Sequence, residues 1–249
     1  RIARLRDLAS AQRFSELFDF ALLRTQYRMH ELLGAAVSGA FYGDRLLSGD
    51  QLRPLKYPLV FLDSDTPSVT INKSSANHGD VAIVERLVRH LAAAGVRPID
   101  ICCVTFYSAQ VQLLHDALDG IAQVATVDSI QGSEYDFVIL SCVRTGSHLG
   151  FLSSPHRTNV ALSRARQLLA IVGCHDSLAT LPSWSHYLQF PQRLTCDAFV
   201  RSFPRATLAG LARGPAHSGQ TPPNRASLGD WALASHSDPP RHPRLYALT

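Results

Sequence analysis

Apolar residues along this chain occur in short continuous runs that alternate with longer segments of helical spacing. The continuous runs lie at residues 58–63, 100–105, 123–130, 136–143 and 168–173. Runs of this length without strict alternation are typical of strands that are buried on both faces. Segments with the period of an α-helix lie at residues 30–42, 77–95, 108–120 and 157–165. The pattern therefore predicts strands and helices in regular alternation.

The segment at residues 77–95 shows the helical period most clearly. One stripe along it carries Val81, Val84, Leu87, Val88 and Leu91. Asn77 or Asp80 is suited to cap its amino end, and Gly95 is suited to stop it. We therefore expect an amphipathic helix whose apolar stripe packs against the sheet.

The order of these elements predicts the fold class, which is α/β. Continuous apolar strands separated by helices are typical of a mainly parallel sheet that is covered by helices on both faces. In open sheets of this kind, ligands bind beyond the carboxyl ends of the strands. We therefore expect functional residues in the loops that follow Thr105, Val127 and Val143.

The two ends of the chain differ in character from its centre. Residues 1–24 have an amphipathic, helical pattern and are interpreted as a lead-in from an upstream domain. Residues 25–200 carry the periodic segments, whereas residues 201–249 are rich in Pro, Ser, Gly and His and predict a flexible tail. The tail is either an end without a role or a peptide that binds a protein partner. Because the chain does not begin with Met, we expect it to be a piece of a longer protein.

Composition narrows the class of protein only a little. Of the 249 residues, 46% are hydrophobic, which is enough for a substantial core, and the formal charge of +4 permits a nucleic-acid partner without requiring one. The five cysteines show no CxxC spacing, so buried reduced thiols in an intracellular protein are favoured over a metal site or disulfides. No apolar stretch approaches the ~20 residues of a membrane-spanning helix.

An unusual concentration of positive charge stands in the segment "RTNVALSRAR" at residues 157–166. If the segment is a helix, Arg157 and Arg164 lie on one face and Arg166 points away from it. A guanidinium is always charged and donates in a rigid fork, so it is suited to bind a phosphate. The alternative for Arg164 is a solvated side chain on the helix surface, which its apolar neighbours disfavour.

Four stretches of the sequence resemble a known family when they are taken together. They are "QYRMH" (26–30), "VTFYSAQ" (104–110), "VATVDSIQGSEYDFVILSCVR" (124–144) and "GFLSSPHRTNVALSRAR" (150–166). In this order and spacing they closely resemble the second, C-terminal RecA-like domain of superfamily 1B helicases. The nearest group contains the nonsense-mediated-decay helicase, senataxin and the immunoglobulin-mu-binding helicase. The resemblance extends from Thr25 to Gly173 and implies a RecA-like, P-loop-NTPase-type fold.

The resemblance also implies roles in binding and hydrolysing ATP. Arg28 and Arg164 are implied to reach the γ-phosphate as arginine fingers. Tyr27 is implied to pack near the adenine, although a core aromatic is the alternative, and Glu134 to accept hydrogen bonds from the ribose hydroxyls, with an ordinary solvated loop glutamate as the alternative. The implied nucleotide-binding residues are Gln26, Tyr27, Gly132, Glu134 and Arg157.

A second group of residues is implied to contact single-stranded RNA or DNA. Thr105, Tyr107 and Ser129 stand at predicted strand ends, and Arg144 ends the stretch "SCVR". Hydroxyls and amides at such positions contact the nucleic-acid backbone without reading its sequence. Simple loop capping is the alternative for Thr105, Tyr107 and Ser129. The substrate can therefore be RNA, DNA or both.

Two elements that an ATP site requires are absent from the sequence. It contains neither a GxxxxGK[ST] motif to hold the phosphates nor a DExx pair to hold Mg²⁺. In the family these belong to the first RecA-like domain, so that domain of the same protein is an implied partner. The sequence also departs from the family pattern at Ser133, which replaces the Arg of QGRE, and at His156, which replaces a second Arg.

The sequence therefore predicts the C-terminal motor domain of an ATP-dependent helicase, which can complete an ATP site but cannot form one alone. The alternative is a module, derived from such a domain, that binds nucleic acid or protein without hydrolysis. An oxidoreductase-type nucleotide fold is disfavoured because no GxGxxG follows the first strand.

Overall fold

The computed structural model describes residues 24–49 and 55–212. Its strands are β1 (Thr25–Gln26), β2 (Leu47–Ser48), β3 (Leu59–Asp63), β4 (Val69–Ile71), β5 (Ser74–Ala76), β6 (Ile101–Thr105), β7 (Gln123–Thr126), β8 (Tyr135–Ser141), β9 (Ala165–Gly173) and β10 (Gln192–Arg193). Its α-helices are α1 (Glu31–Phe41), α2 (His78–Ala93), α3 (Ser108–Leu118), α4 (Pro155–Leu162), α5 (His175–Ala179), α6 (Pro182–Tyr187), α7 (Cys196–Ser202) and α8 (Arg205–Ala212).

Six of the strands form one parallel sheet in the order β10-β3-β9-β8-β6-β7. The central strands are buried along their whole apolar runs, as in β6 and in residues 137–141 of β8. This burial explains why these strands show no alternation in the sequence. The predicted α/β class and parallel sheet are confirmed.

Helices cover both faces of the sheet, and each face has its own apolar core. On one face, α1, α4, α5 and α6 pack around Leu33, Leu162, Trp184 and Tyr187. On the other, α2, α3, α7 and α8 contribute Leu87, Leu114, Phe199 and Leu208. The stripe predicted for residues 77–95 faces this second core, and the Asn77 side chain caps α2 by accepting from the Asp80 amide.

The helix predicted at residues 157–165 is wrong in its bounds. Helix α4 begins at Pro155 and ends at Leu162, and β9 begins at Ala165 rather than at residue 168. The apolar spacing favours a helix up to residue 165. Ala165 instead pairs with Tyr135 of β8, and this pairing makes it part of a strand. Arg157 and Arg164 therefore do not share a helix face.

The folded part of the chain continues beyond residue 200. Helix α8 follows the predicted start of the tail, and both Phe203 and Leu208 are fully buried against the core of α2. His90 of α2 also bonds to the carbonyl of Phe203 through Nε2, at 2.7 Å. The flexible tail predicted from residue 201 thus begins too early. The rest of that tail, from residue 213, and residues 1–23 of the predicted lead-in lie outside the described residues.

Candidate functional site

Charged side chains gather at the amino ends of β8 and β9. Glu134 directly precedes β8 and Arg164 directly precedes β9, and these strands are parallel neighbours. The His30 amide donates to the carbonyl of Arg166 at 2.8 Å, which fixes the segment at residues 26–30 beside them. We call Arg28, Glu134, Asp136, Arg164 and Arg166 the arginine–carboxylate cluster. Its place differs from the carboxyl ends at which the sequence led us to expect the functional residues.

Glu134 is the centre of this cluster because it binds two arginines. It forms an ion pair with Arg28, and its Oε1 accepts from Arg166 Nε at 3.0 Å. Arg166 also bonds to Asp136 through Nη1, at 3.2 Å. Partial burial acts to raise the pKa of Glu134, but the positive charges of Arg28 and then Arg166 prevail and lower it. Glu134 is therefore held as a carboxylate.

Arg164 lies in the turn between α4 and β9 and is almost entirely buried, with 1% of its surface exposed. Its guanidinium donates to Val160 O at 3.0 Å, Ser133 O at 3.1 Å and Ser163 Oγ at 3.1 Å. Burial lowers the pKa of Arg164, and the positive charge of Arg28 lowers it further. The solvated alternative for Arg164 is wrong.

The segment at residues 26–30 combines an anchored glutamine with an exposed ring. Gln26 Oε1 accepts from the amides of Arg28 and Met29, at 2.9 and 2.7 Å, so this side chain shapes the turn that presents Arg28. Tyr27 is 68% exposed, which excludes the core role considered for it. A Cβ on Gly49 would collide with the Tyr27 ring, so this glycine allows the ring to lie close to the backbone.

Gly132 stands in the loop that leads to Glu134 and has a φ of +90°. This backbone conformation favours glycine, and a Cβ there would have nothing within 4 Å. The open space leaves room for another molecule to approach the backbone.

The other candidate residues lie at the carboxyl ends of β6, β7 and β8. Thr105 is fully buried and its hydroxyl has no hydrogen-bond partner, so it offers no contact at the surface. Ser129 is exposed and donates to Thr126 O at 2.9 Å. Tyr107 is 4% exposed and its hydroxyl donates to Leu149 O at 3.1 Å.

Two arginines flank this edge of the sheet. Arg144 donates to Ser75 Oγ at 3.0 Å and to His148 O at 2.8 Å. Arg157, at the start of α4, makes two bonds of 2.9 Å to the carboxylate of Asp128. The structure thus separates Arg157 from the arginine–carboxylate cluster and places it with the residues predicted to contact nucleic acid.

A buried polar network, which the sequence analysis did not predict, supports the loop that carries Arg144. Asp80 is fully buried, and its Oδ2 accepts from Ser141 Oγ at 2.8 Å and from the Val143 amide at 2.9 Å. Val143 has a φ of +70°, a strained conformation for a β-branched residue. Desolvation raises the pKa of Asp80 from 3.8 to about 6, against these hydrogen bonds. Its position on the apolar stripe of α2, four residues before Val84, is the signal that could have found it.

Within the described ranges, no group of His, Cys, Asp or Glu side chains is arranged to hold a metal ion, and no helix is long and apolar enough to cross a membrane. Both carboxylates of the arginine–carboxylate cluster are engaged by arginines. The arrangement is suited to bind an anion.

The parallel sheet, covered on both faces and carrying arginines at its strand ends, defines a RecA-like α/β domain. A profile of the family described as "AAA domain" matches residues 8–176. The chain belongs to this family and, within it, to the superfamily 1B helicases related to the regulator of nonsense transcripts 1.

Curated relatives agree with this assignment. The "Putative regulator of nonsense transcripts 1" of Takifugu rubripes is 35% identical over 192 residues, which cover 67% of this chain and 17% of that protein. The "5'-3' DNA helicase ZGRF1" of Mus musculus is 33% identical over 184 residues, which cover 68% of this chain and 10% of that protein. The matched region is thus a small part of these relatives.

Among solved structures, the C-terminal domain of a possible DNA helicase from Lactobacillus plantarum WCFS1 aligns with a TM-score of 0.39 and 15% identity. The alignment covers 60% of this chain and 88% of that one.

Proposed function

We propose that this chain is the second motor domain of an ATP-dependent helicase, and that it completes an ATP site held mainly by a first RecA-like domain. The observation that carries the proposal is that Arg28 pairs with Glu134 while Arg164 donates to the carbonyl of the adjacent Ser133, at the ends of two neighbouring strands. Two cationic forks in one place are suited to stabilise the charge on a transferring phosphoryl group.

Arg28 is the more accessible of the two forks. Its side chain is 28% exposed and is held by the Glu134 carboxylate. A γ-phosphate carries more negative charge than a carboxylate, so it competes for Arg28 when the first domain brings it close. The phosphate reaches Arg164 only after Arg28, because Arg164 is buried. Its Nη1 donates to the carbonyl of Ser133, in the loop that leads to Glu134. A shift of that loop frees one donor of Arg164 toward the phosphate.

The remaining nucleotide contacts follow from exposure and chemistry. Tyr27 presents an exposed ring against which adenine can stack. Glu134, once released from Arg28, accepts hydrogen bonds from the ribose hydroxyls, and Gly132 leaves room beside it. The carboxylates here are paired with arginine, so we assign the binding of Mg²⁺, which shields the phosphates, to the first domain.

Nucleic acid is the proposed partner at the opposite edge of the sheet. Arg144 lies there against the Tyr107 ring, and the exposed Ser129 follows β7; both can position a phosphate backbone. The names of the relatives point to transcripts in one case and to DNA in another, so both RNA and DNA are candidate substrates. Closing and opening of the cleft between the two domains would move the protein along the strand.

The test is ATP hydrolysis by the protein that carries both RecA-like domains. We expect Arg28→Ala and Arg164→Lys each to reduce turnover on the order of 10³-fold or more, since each removes a planar fork from the phosphoryl group. Binding of single-stranded nucleic acid is expected to survive. Arg86→Ala is the matched control, because Arg86 pairs with an aspartate at the surface, 52% exposed. Unchanged turnover in Arg28→Ala and Arg164→Lys would refute the arginine-finger assignment.

A non-hydrolysing binding module is the second candidate, and one observation favours it. Arg164 is buried by main-chain carbonyls and Arg28 is occupied by Glu134, so neither fork is free in this conformation. Turnover of ATP at fixed salt, with RNA and DNA compared, separates the two candidates. Binding of nucleic acid without stimulated turnover would support the module.

A further inference from the structure

An aromatic ring is held out into solvent at the carboxyl edge of the sheet. Phe151 lies in the short 3₁₀ turn Gly150–Ser153 and is 48% exposed. Its ring packs at a tilt of 34° against the Tyr107 ring, with 5.5 Å between the centroids. None of the roles proposed above uses Phe151.

The turn that carries this ring is anchored on both sides. Leu149 and Leu152 are buried, and the carbonyl of Leu152 accepts from Trp184 Nε1 at 3.1 Å and from Thr158 Oγ1 at 3.3 Å. Gly150 has a φ of +54°, and a Cβ there would lie 3.0 Å from Tyr107 Oη. These contacts fix the turn so that Phe151 points outward while its neighbours point into the core.

Two guanidinium groups extend the aromatic pair into a row. Arg157 Cζ lies 4.4 Å from the centroid of the Phe151 ring, and Arg144 Cζ lies 5.6 Å from that of Tyr107. In the order Arg144, Tyr107, Phe151, Arg157, a guanidinium thus lies at each end of the aromatic pair. We call these four residues the aromatic–arginine row.

The charge of this row is unevenly balanced. Arg157 is paired with Asp128, whereas the hydrogen bonds of Arg144 go to neutral oxygens, those of Ser75 and His148. The two positive charges of the row are therefore balanced by one neighbouring carboxylate, that of Asp128. A ligand with a flat ring next to an anionic group matches this pattern, and a nucleotide unit of a single strand has both.

We propose that the aromatic–arginine row is a base-stacking site for single-stranded nucleic acid. One base lies against the exposed part of the Phe151 ring and the guanidinium plane of Arg157, and the adjoining phosphate lies toward Arg144. Stacking of this kind tolerates any base, and a duplex is excluded because its base faces are already stacked. This inference rests on the proposed function, and it adds contact with a base to a grip otherwise made on the backbone.

The experiment measures fluorescence anisotropy of labelled single strands titrated with the full chain at fixed low salt. Three strands of equal length are used: oligo(dA), oligo(rA) and a deoxyribose–phosphate oligomer without bases. For Phe151→Ala we expect affinity for one or both base-bearing strands to fall about tenfold, the loss of one stacked base. Affinity for the abasic strand stays unchanged. The strand that shows the loss tells whether RNA, DNA or both occupy the site.

Two further variants exclude trivial causes. Phe151→Trp keeps an aromatic surface and is expected to retain the affinity of the unmodified chain. Phe190→Ala removes another exposed phenylalanine, 41% exposed, whose ring neighbour is His186 rather than an arginine, and is expected to change nothing. Thermal melting followed by circular dichroism checks that each variant is folded, since an exposed ring contributes little to stability.

The outcomes distinguish this inference from the proposed function. If Phe151→Ala binds all three strands as tightly as the unmodified chain, or loses affinity for all three equally, base stacking is refuted and the backbone grip stands. If the unmodified chain binds none of the strands, the nucleic-acid part of the proposed function fails, and the stacking site fails with it.

Discussion

The carboxylate of Glu134 forms an ion pair with Arg28, which joins the segment at residues 26–30 to the loop before β8. Glu134 also binds Arg166. It therefore joins the amino ends of β8 and β9 to the segment at residues 26–30. The same carboxylate shields the most accessible phosphate-binding fork of the proposed ATP site. The pair is therefore a structural contact and, in the proposed function, also a competitor of the nucleotide.

The first prediction concerns how strongly this pair stabilises the fold. Arg28→Ala, Glu134→Ala and the double variant form a cycle in which the coupling free energy is measured by denaturant unfolding. We expect a coupling of about 0.5–1 kcal/mol, because the side chains are 28% and 35% exposed and Arg166 shares the carboxylate. A coupling near zero would contradict a stabilising role for this pair.

The second prediction concerns Arg164 as a structural residue. Arg164→Ala removes a buried side chain and leaves the partly buried carbonyls of Val160 and Ser133 without their donor. We expect the free energy of unfolding of the chain to fall by about 2–4 kcal/mol, measured by chemical denaturation. The matched control is Arg86→Ala, whose exposed ion pair is worth about 0.5 kcal/mol. Equal effects of the two substitutions would contradict the buried role.

Most of the fold could be predicted from the sequence because its signals are local. The continuous run of β6 and the apolar stripe of α2 lie where the pattern places them. The end of α4 could not be predicted, because Ala165 suits a helix as well as a strand. Its pairing with Tyr135 determines that it belongs to a strand. Residues 205–212 were missed because burial of Leu208 depends on a distant helix.

The candidate site was predictable in its residues but not in its contacts. The motif resemblance singled out Arg28, Glu134 and Arg164, which the structure brings together. It could not indicate that Glu134 pairs with Arg28 and Arg166, since these contacts join three distant parts of the chain. The expectation that Arg157 and Arg164 share a helix face was wrong because it depended on the wrong bounds of α4.

The third prediction concerns the ion pair between Asp128 and Arg157 at the surface. Asp128→Asn removes the negative charge that holds Arg157, so this arginine becomes available to a phosphate. We expect tighter binding of single-stranded nucleic acid at low salt, and a log–log salt dependence that is steeper by about one unit or less. Titrations at several salt concentrations measure the slope. The control is Asp197→Asn, which releases Arg86 in the same way on another face. An unchanged slope in Asp128→Asn would contradict the release of Arg157 to a phosphate in this variant.

The fourth prediction concerns the buried carboxyl of Asp80. Desolvation raises its pKa from 3.8 to about 6 in the folded chain, so the folded state binds the proton more tightly than the unfolded state does. Its contribution to stability is therefore largest below pH 3.8, declines as the pH rises to 6, and is constant above. Asp80→Asn cannot ionise and lacks this decline.

Denaturant unfolding of the two proteins between pH 4 and pH 8 measures this effect. The free energy of unfolding of Asp80→Asn, minus that of the unmodified chain, is expected to rise with pH by on the order of 3 kcal/mol and then level off. A constant offset from the changed hydrogen bonds to Ser141 and Val143 cancels in the pH dependence. Leu87→Ala, an apolar truncation on the same helix, should lower stability equally at every pH. If Asp80→Asn also gives a constant difference, Asp80 does not titrate in this range, and the carboxyl that supports the Val143 loop keeps one charge state throughout.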